Sequence, residues 1–292
     1  MPIKVLALVC AAGMTLALFT PSAPAASTIN ATNRYAYAAN LGWVDWRGDT
    51  TNGAVIGEYV CAGSIYGANV GWISLGNGAP TNGIHYQNLS ASDFGVNHDG
   101  FGNLRGYAYG ANIGWVNFEA SGAPKVNLKT GKMSGAVYSA NCGWIGLSNA
   151  LAVVQSDRIP GGVDSDGNGL ADAWERLYFG SIGVSPGADA DGDGVSNKAE
   201  YLAGTNPTDA SSKLVITAFH ATPSGGLVDL TWQSVTNRCY FIQKRPDLTV
   251  STWFDSGLGV IEPDGASTTR IIMDTNLPMR FYRVGAFRPL AP

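Results

Sequence analysis

Alternation of apolar and polar residues dominates the first half of the chain. A motif of the form A-N-x-G-W begins at residues 39, 68, 111 and 140. Each motif follows a short alternating segment, namely R-Y-A-Y (34–37), G-S-I-Y (63–66), G-Y-A-Y (106–109) and G-A-V-Y (135–138). Alternation on both sides of a turn-forming stretch predicts a β-hairpin, and self-similar hairpins must stack to bury their apolar faces. The pattern therefore predicts a repeat β-sandwich or barrel over residues 27–154.

The repeated motif also predicts where its own residues lie. Its Asn tolerates the left-handed conformation of a turn, and the following Gly permits a close backbone approach. A tryptophan that recurs in every unit predicts a core anchor, because Trp buries a large area; a flat platform for a ligand is the alternative interpretation. The recurring tryptophans are Trp43, Trp72, Trp115 and Trp144, and the residues favoured for an exposed platform are Trp46, Tyr35, Tyr86 and His85.

The last third of the chain also has a strand pattern. Short apolar or alternating runs such as 213–219, 226–232, 239–245, 268–274 and 279–284 are separated by turn-forming residues. Regular spacing of this kind predicts an antiparallel β-sandwich over residues 212–292. The predicted fold class is therefore mainly β.

Between the two β regions the pattern changes to a helical period. A linker over 155–163 contains Pro160-Gly161-Gly162. Apolar residues at 170, 173, 174, 177 and 178 fall on one helical face that ends at Gly180. A shorter face at 195, 199 and 202 ends at Gly204. This spacing predicts a pair of loop-helix units over 164–211.

Two acidic stretches in this segment carry the strongest chemical signal. D-S-D-G-N-G-L-A-D-A-W-E occupies 164–175, and D-A-D-G-D-G-V-S-N-K-A-E occupies 189–200. Both fit the twelve-residue calcium loop, which supplies oxygen ligands from positions 1, 3, 5, 7, 9 and 12 and turns at a Gly in position 6. Two matches predict two Ca²⁺ ions. The predicted ligands are Asp164, Asp166, Asn168, the Leu170 carbonyl, Asp172 and Glu175 in the first loop, and Asp189, Asp191, Asp193, the Val195 carbonyl, Asn197 and Glu200 in the second.

The charge distribution narrows the classes of function. The 292 residues carry a formal charge of −4, while residues 163–209 alone carry nine acids and two bases, a charge of −7. The acidity therefore belongs to the calcium loops, and no basic cluster points to nucleic acid. The pattern G-x-S-x-G occurs once, as G-V-S-P-G at 183–187, but it lies between the two predicted loop-helix units and does not follow a predicted strand. The H-E-x-x-H and phosphate-loop motifs do not occur, and the three histidines are scattered. We therefore expect a protein that is not an enzyme.

The N-terminus has the features of a secretory signal peptide over residues 1–26. Lys4 precedes an apolar run over 5–19, and Ala23-Pro24-Ala25 forms a small-x-small cleavage pattern. These features predict export, with a mature chain that starts near Ala26 or Ser27 and has no membrane span. The expected location is outside the cell or on its surface.

Three cysteines remain after this segment, which is an odd number for a disulfide framework. Cys142 stands where the other repeats have Leu41, Val70 and Ile113. This alignment favours a small buried side chain. A disulfide between Cys61 and Cys142 is the alternative, and export would permit it.

Three parts of the chain resemble known modules. The run A-D-A-D-G-D-G-V-S-N-K-A-E-Y-L-A-G-T-N-P-T-D resembles the thrombospondin type 3-like, EF-hand-type calcium repeats of secreted bacterial proteins. L-T-W at 230–232 with F-Y-R-V at 281–284 resembles a fibronectin type III domain. The Y-x-x-A-N-x-G-W repeats resemble uncharacterised exported modules found with such calcium repeats, a likeness that implies no activity.

These observations lead to one main functional hypothesis and two alternatives. The main one is a secreted structural or adhesive protein in which calcium stiffens the junction between two β domains. A calcium-dependent carbohydrate-binding module, or lectin, is the first alternative. The second is a docking module, because two loop-helix calcium units are similar in layout to a dockerin. The expected partner is a cell-surface protein or a polysaccharide.

Overall fold

The computed structural model describes residues 27–48, 51–222, 226–249, 252–273 and 281–291. The predicted signal peptide lies outside the described residues. The rest of the chain forms two compact units. One unit, which we call the barrel unit, contains residues up to 167 together with 171–182 and 289–291. The other contains 168–170 and 183–288.

The secondary structure is mainly β, as the sequence predicts. The two helices of the described residues are α1 (Asp172–Phe179) and α2 (Asn197–Ala203). Each ends at a glycine in the left-handed conformation, Gly180 at φ 76° and Gly204 at φ 75°, as predicted from the sequence. The strands are β1 (Ile29–Ala38), β2 (Gly42–Asp45), β3 (Val55–Ile56), β4 (Cys61–Gly67), β5 (Gly71–Asn77), β6 (Val96–His98), β7 (Leu104–Gly110), β8 (Gly114–Asn117), β9 (Lys125–Val126), β10 (Met133–Ser134), β11 (Ala136–Ser139), β12 (Gly143–Gly146), β13 (Val154–Ser156), β14 (Ile216–Thr222), β15 (Leu227–Gln233), β16 (Cys239–Arg245), β17 (Phe254–Asp255), β18 (Ser267–Met273) and β19 (Phe281–Phe287).

The four repeats form four antiparallel hairpins that close into one eight-stranded barrel. The hairpins β1–β2, β4–β5, β7–β8 and β11–β12 follow one another around the sheet. Tyr37 of β1 pairs with Gly146 of β12, which closes the circle. Closure removes exposed strand edges from these eight strands. Of the two predicted architectures, sandwich or barrel, the structure adopts the barrel.

Equivalent residues of the four hairpins fill the barrel in layers. Val44, Ile73, Val116 and Ile145 form one layer, with exposures between 0 and 1%. Two positions further along each hairpin, another buried layer contains Trp46, Leu75, Phe118 and Leu147. Because side chains alternate between the two faces of a strand, the residues between these layers must point outward.

Both predictions about the tryptophans were therefore wrong: the recurring ones are not in the core, and Trp46 is not at the surface. Trp43, Trp72, Trp115 and Trp144 precede the buried aliphatic layer by one residue, and they point outward with 46–50% of their surface exposed. Trp46, favoured above for an exposed platform, is only 1% exposed because it shares the inward parity of Val44. Tyr86, also favoured for the platform, is 4% exposed. Its hydroxyl accepts from the Gly78 amide and donates to the Cys61 carbonyl.

The hairpin tips are joined by a ring of hydrogen bonds. At each tip the Asn Nδ2 donates to a backbone carbonyl in the preceding hairpin. The pairs are Asn69 with Leu41 (3.0 Å), Asn112 with Val70 (3.0 Å), Asn141 with Ile113 (3.1 Å) and Asn40 with Cys142 (3.2 Å). The left-handed residue is the Gly of each motif, at φ 70–78°, and not the Asn, so the predicted conformation of the Asn was wrong.

The cysteines are buried and unlinked in the described part of the chain. Cys142 lies with Leu41, Val70 and Ile113 in the apolar layer that fills the tip end of the barrel. The prediction of a buried aliphatic substitute is confirmed, and the Cys61–Cys142 disulfide is not formed. Burial raises the pKa of the Cys61 thiol to about 12, which keeps it protonated and unreactive.

The second unit contains two antiparallel sheets of three strands each. One has the order β14–β15–β18 and the other β17–β16–β19. Their core contains Leu230, Trp232, Tyr240, Ile242 and Ile272. The two sheets agree with the predicted antiparallel sandwich, and the fibronectin type III resemblance stays a prediction.

Neither of the described helices has the length and apolar character that a membrane span requires.

Candidate metal centre

The second predicted calcium loop brings three carboxylates together. Within the described ranges, Asp189, Asp191 and Asp193 form a group in which one oxygen from each lies within 4.8 Å of the others. They occupy positions 1, 3 and 5 of the loop. Such a group of carboxylate oxygens is suited to a hard divalent cation.

Backbone amides fold the loop around its first carboxylate. Asp189 Oδ1 accepts from the amides of Gly192 (2.8 Å) and Asp193 (3.1 Å), and its Oδ2 accepts from Gly194 (2.8 Å). Gly192 and Gly194 have φ values of 77° and 91°, so the turn depends on glycine. These amides stabilise the ionised carboxylate, and they lower the pKa of Asp189.

Helix α2 supplies the last two predicted side-chain ligands. Its N-cap is Ser196, whose hydroxyl accepts from the Ala199 amide at 3.4 Å. Asn197 is fixed from both sides, because its amide donates to the Ala188 carbonyl (2.7 Å) and its Nδ2 to the Ser185 carbonyl (2.9 Å). Asn197 and Glu200 are both fully buried at the start of the helix.

Several buried oxygens at the predicted ligand positions have no hydrogen-bond partner among the described residues. They are Oδ2 of Asp191, Oδ2 of Asp193, Oδ1 of Asn197 and Oε2 of Glu200. Buried polar atoms in proteins are nearly always paired, and a buried unpaired acceptor is costly. Four buried oxygens that accept no hydrogen bond lie at positions 3, 5, 9 and 12 of one loop, and of these Asp193 Oδ2 has an ion-pair partner in Lys213. This arrangement is what a cation-binding site requires.

The site carries more negative charge than its surroundings offset. Burial, together with Asp191, Asp193 and Asp189, raises the pKa of Glu200 to about 7, although the Thr205 hydroxyl donates to its Oε1 at 3.1 Å. Partial compensation comes from Lys213, whose Nζ lies 3.7 Å from Asp193 Oδ2 and 3.3 Å from the Asp193 carbonyl. Both charge and geometry therefore fit a divalent cation.

The first predicted loop is arranged differently. The division between the two compact units passes through it, with 168–170 in one unit and the rest in the other. In the barrel unit, Asp172 accepts from the Ser165 amide (2.7 Å) and hydroxyl (2.6 Å) and pairs with Arg176 at 3.7 Å. Asp164 and Asp166 are exposed, and Glu175 is buried. The described first-loop carboxylates do not form a group like that of the second loop.

Comparison with known proteins supports the prediction of a calcium repeat at the second loop. Residues 189–210 match the bacterial TSP3 repeat. This match covers the whole second loop and helix α2, and it agrees with the calcium-repeat resemblance seen in the sequence. No curated protein matches the chain, and no solved structure matches it.

Two residues that contact the carboxylates of this site were not predicted from the sequence. Thr205 and Lys213 both lie beyond the twelve-residue pattern, so the motif gave no signal for them. Their roles depend on how the chain returns toward the loop after α2.

Proposed function

We propose that this protein is a secreted, calcium-binding structural or adhesive protein whose second loop binds one Ca²⁺ ion. The buried oxygens of that loop that accept no hydrogen bond carry the proposal. Asp189, Asp191, Asp193, Asn197 and Glu200 supply side-chain oxygens, and Val195 supplies a carbonyl.

Calcium is the cation that best suits this ligand set. The loop offers only oxygen atoms and closes with a Glu, which can bind through both oxygens. Transition metals instead favour imidazole and thiolate ligands, and the loop contains neither His nor Cys. Extracellular calcium modules bind with a Kd of roughly 10⁻⁴–10⁻³ M.

Calorimetric titration of the mature chain with CaCl₂ tests this site. Asp191→Asn removes a charge from a loop oxygen, and we expect the calcium affinity of this site to fall by about tenfold or more. Asp209→Asn is the matched control, because Asp209 lies in the same matched segment but is exposed and accepts from the Ser211 amide and hydroxyl. Equal affinity in wild type and Asp191→Asn would contradict the assignment.

The same titration decides whether the first loop binds a second ion. Two ions per chain are expected if Asp164, Asp166, Asn168, Leu170, Asp172 and Glu175 act as the sequence predicts. In that case Asp166→Asn should leave one ion per chain. A stoichiometry of one that Asp166→Asn does not change would restrict binding to the second loop.

The proposed structural role rests on the position of the calcium segment in the chain. It lies between a repeat barrel and a second β region in the sequence, so calcium would order the segment that connects them. The protein is proposed to act by binding, not by catalysis. Co-sedimentation of the mature chain with its own cells, in calcium and in chelator, tests adhesion. Binding that chelator abolishes supports the role, and absence of any binding to cells contradicts it.

A further inference from the structure

Eight aromatic side chains form a closed belt on the outside of the barrel. Each hairpin places a Tyr directly opposite a Trp, with ring centroids 4.9–5.1 Å apart and interplanar angles of 57–61°. The tyrosines are 39–41% exposed and the tryptophans 46–50%. We call this belt the aromatic girdle; it contains Tyr37, Trp43, Tyr66, Trp72, Tyr109, Trp115, Tyr138 and Trp144.

Three of the tryptophan rings have close neighbours that restrict their movement. A Cβ added to Gly48 would lie 2.8 Å from the Trp72 ring, and one added to Gly122 would lie 2.9 Å from the Trp144 ring. Phe94 packs edge-on against Trp115 with centroids 5.2 Å apart. The rings are therefore ordered before any ligand arrives, which lowers the entropic cost of binding.

Each pair has a neighbouring position on the adjacent hairpin, and at three of the four this position is polar. Asp45 lies opposite Tyr66, Ser74 opposite Tyr109 and Asn117 opposite Tyr138, whereas Gly146 lies opposite Tyr37. The girdle thus alternates apolar ring surface with half-buried polar side chains, each of which accepts a hydrogen bond from a nearby backbone amide. Exposed aromatic surface of this extent commonly marks a binding site.

The net charge of the barrel residues indicates whether a charged or a neutral ligand suits the girdle. Residues 27–154 contain six bases and six acids, a net charge of zero. A polyanion such as single-stranded nucleic acid requires a positively charged groove along its backbone, and this region does not provide one. A neutral ligand with both apolar faces and hydroxyl groups matches the girdle best.

We propose that the aromatic girdle binds a neutral polysaccharide, with the Tyr–Trp pairs stacking on the apolar faces of successive sugar rings. Four equivalent pairs suit a polymer with a repeating structure, because each engaged pair raises the effective concentration of ligand at the next. This inference does not rest on the calcium proposal.

Native electrophoresis through gels that contain one polysaccharide each tests the inference. The gels contain hydroxyethylcellulose, xylan, galactomannan or laminarin, with polygalacturonate as the acidic counterpart, and they are run in calcium and in chelator. Retardation of the mature chain by at least one neutral polymer, in both conditions, is the expected result. No retardation in any neutral gel, or retardation by polygalacturonate alone, would overturn the proposal.

Paired substitutions separate ring stacking from a purely structural role. The double variant Trp72→Leu/Trp144→Leu keeps apolar cross-strand contacts but removes the flat rings, and we expect a loss of affinity of roughly tenfold. The matched variant Trp72→Tyr/Trp144→Tyr keeps flat rings and should stay within about threefold of wild type. Leu89→Ser/Leu151→Ser is the control for exposed apolar surface elsewhere in the barrel unit, where both side chains are at least 87% exposed.

Two further measurements keep the result interpretable. If the Leu variant does not fold, Ser74→Ala/Asn117→Ala tests the polar positions without changing the rings. An unchanged affinity of this variant for the polysaccharide would contradict a role of these polar side chains in binding. Sedimentation velocity tests whether a second copy covers the girdle. A wild-type oligomer that the Leu variant dissociates, without polysaccharide binding, would overturn the proposal, as would preferential binding of poly-L-proline.

Discussion

At the residue scale, a side chain's parity along its strand decides whether it stabilises the fold or faces solvent. Trp43 and Trp46 belong to the same repeat and are three positions apart, yet one is 46% exposed and the other 1%. Trp46 packs edge-on against Phe118 in the same buried layer, with centroids 6.3 Å apart. Trp43 instead packs against Tyr37 on the outer face.

This difference predicts unequal costs of truncation. Trp46→Ala should lower the free energy of unfolding by about 3–5 kcal/mol, because it leaves a large cavity in a closed core. Trp43→Ala should cost less, about 1–3 kcal/mol, because only about half of its surface is buried and it loses the aromatic pair with Tyr37. Denaturant unfolding of the two variants measures both values. Equal losses would contradict the assignment of the inner and outer faces.

His98 should make stability depend on pH. It is 1% exposed, its Nδ1 lies 2.7 Å from the Gly57 carbonyl, and its Nε2 accepts from the Gly102 amide at 3.0 Å. Burial lowers the pKa of His98, so the folded state favours the neutral ring. The unfolded ring gains a proton near pH 6.5. Stability should therefore be complete above about pH 6.5 and should fall below it, by up to about 1.4 kcal/mol per pH unit.

Denaturant unfolding between pH 7.5 and 5, in chelator, measures this dependence. His98→Gln should flatten the slope even if the variant is less stable at every pH. His220→Gln serves as the control, because His220 is exposed on β14. His85 adds to the same slope in all three proteins, since burial also lowers its pKa. A slope that His98→Gln leaves unchanged would contradict the role of His98.

At the element scale, the hairpin tips show how a short motif builds the closed end of a barrel. The Gly of the motif turns the chain, the Asn side chain binds the neighbouring hairpin, and the residue between them fills the interior. Each tip therefore depends on its neighbour as well as on its own strands. This explains why one motif recurs at all four tips.

Two glycines of strand β12 provide a matched test of the turn. Gly143 has φ 78°, and Ala in its place should cost about 1–2 kcal/mol in the free energy of unfolding. Gly146 faces outward where other hairpins have Asp45, Ser74 or Asn117, and a Cβ there would meet only ordinary contacts at 3.7 Å or more. Thermal unfolding should show Gly146→Ala as neutral or slightly stabilised. A similar loss for both variants would contradict the turn geometry.

At the scale of the whole molecule, calcium bound at the second loop should act on one unit and not on the other. The Asp189–Asp191–Asp193 group lies in the unit that contains 183–288, whereas the barrel is held by its own apolar layers and closed sheet. With a Kd of roughly 10⁻⁴–10⁻³ M, 10 mM Ca²⁺ should stabilise the calcium-binding unit by about 1.4–2.7 kcal/mol.

Limited proteolysis with and without calcium locates this effect. Chelator should expose residues 183–211 to cleavage first, while the barrel unit stays intact. Asp191→Asn should be cleaved in calcium at nearly the rate that the wild type shows in chelator. Cleavage of 183–211 at the same rate in both conditions would contradict a structural role for the ion.

The sequence by itself determined the local features of this protein. Alternation and turn residues located the four hairpins, the spacing of acids located the carboxylate group of the second loop, and glycines located the ends of both helices. Each of these signals arises from residues close together in the chain. Alternation also indicates which way the tryptophans point. Each is followed directly by an aliphatic residue suited to the core, so the tryptophan must lie on the opposite face of its strand; these residues are Val44, Ile73, Val116 and Ile145. Recurrence of a tryptophan in every repeat does not by itself indicate burial.

Only the tertiary structure decided what depends on distant partners. Closure through Tyr37 and Gly146 made a barrel out of hairpins that fit a sandwich equally well. The second loop meets helix α2 and Lys213, and four of its buried oxygens accept no hydrogen bond and can bind a cation. The first loop has a comparable motif, but its Asp172 contacts Ser165 and Arg176 instead. A motif specifies which atoms are available, but their burial and charge balance come from chain segments that the motif does not contain.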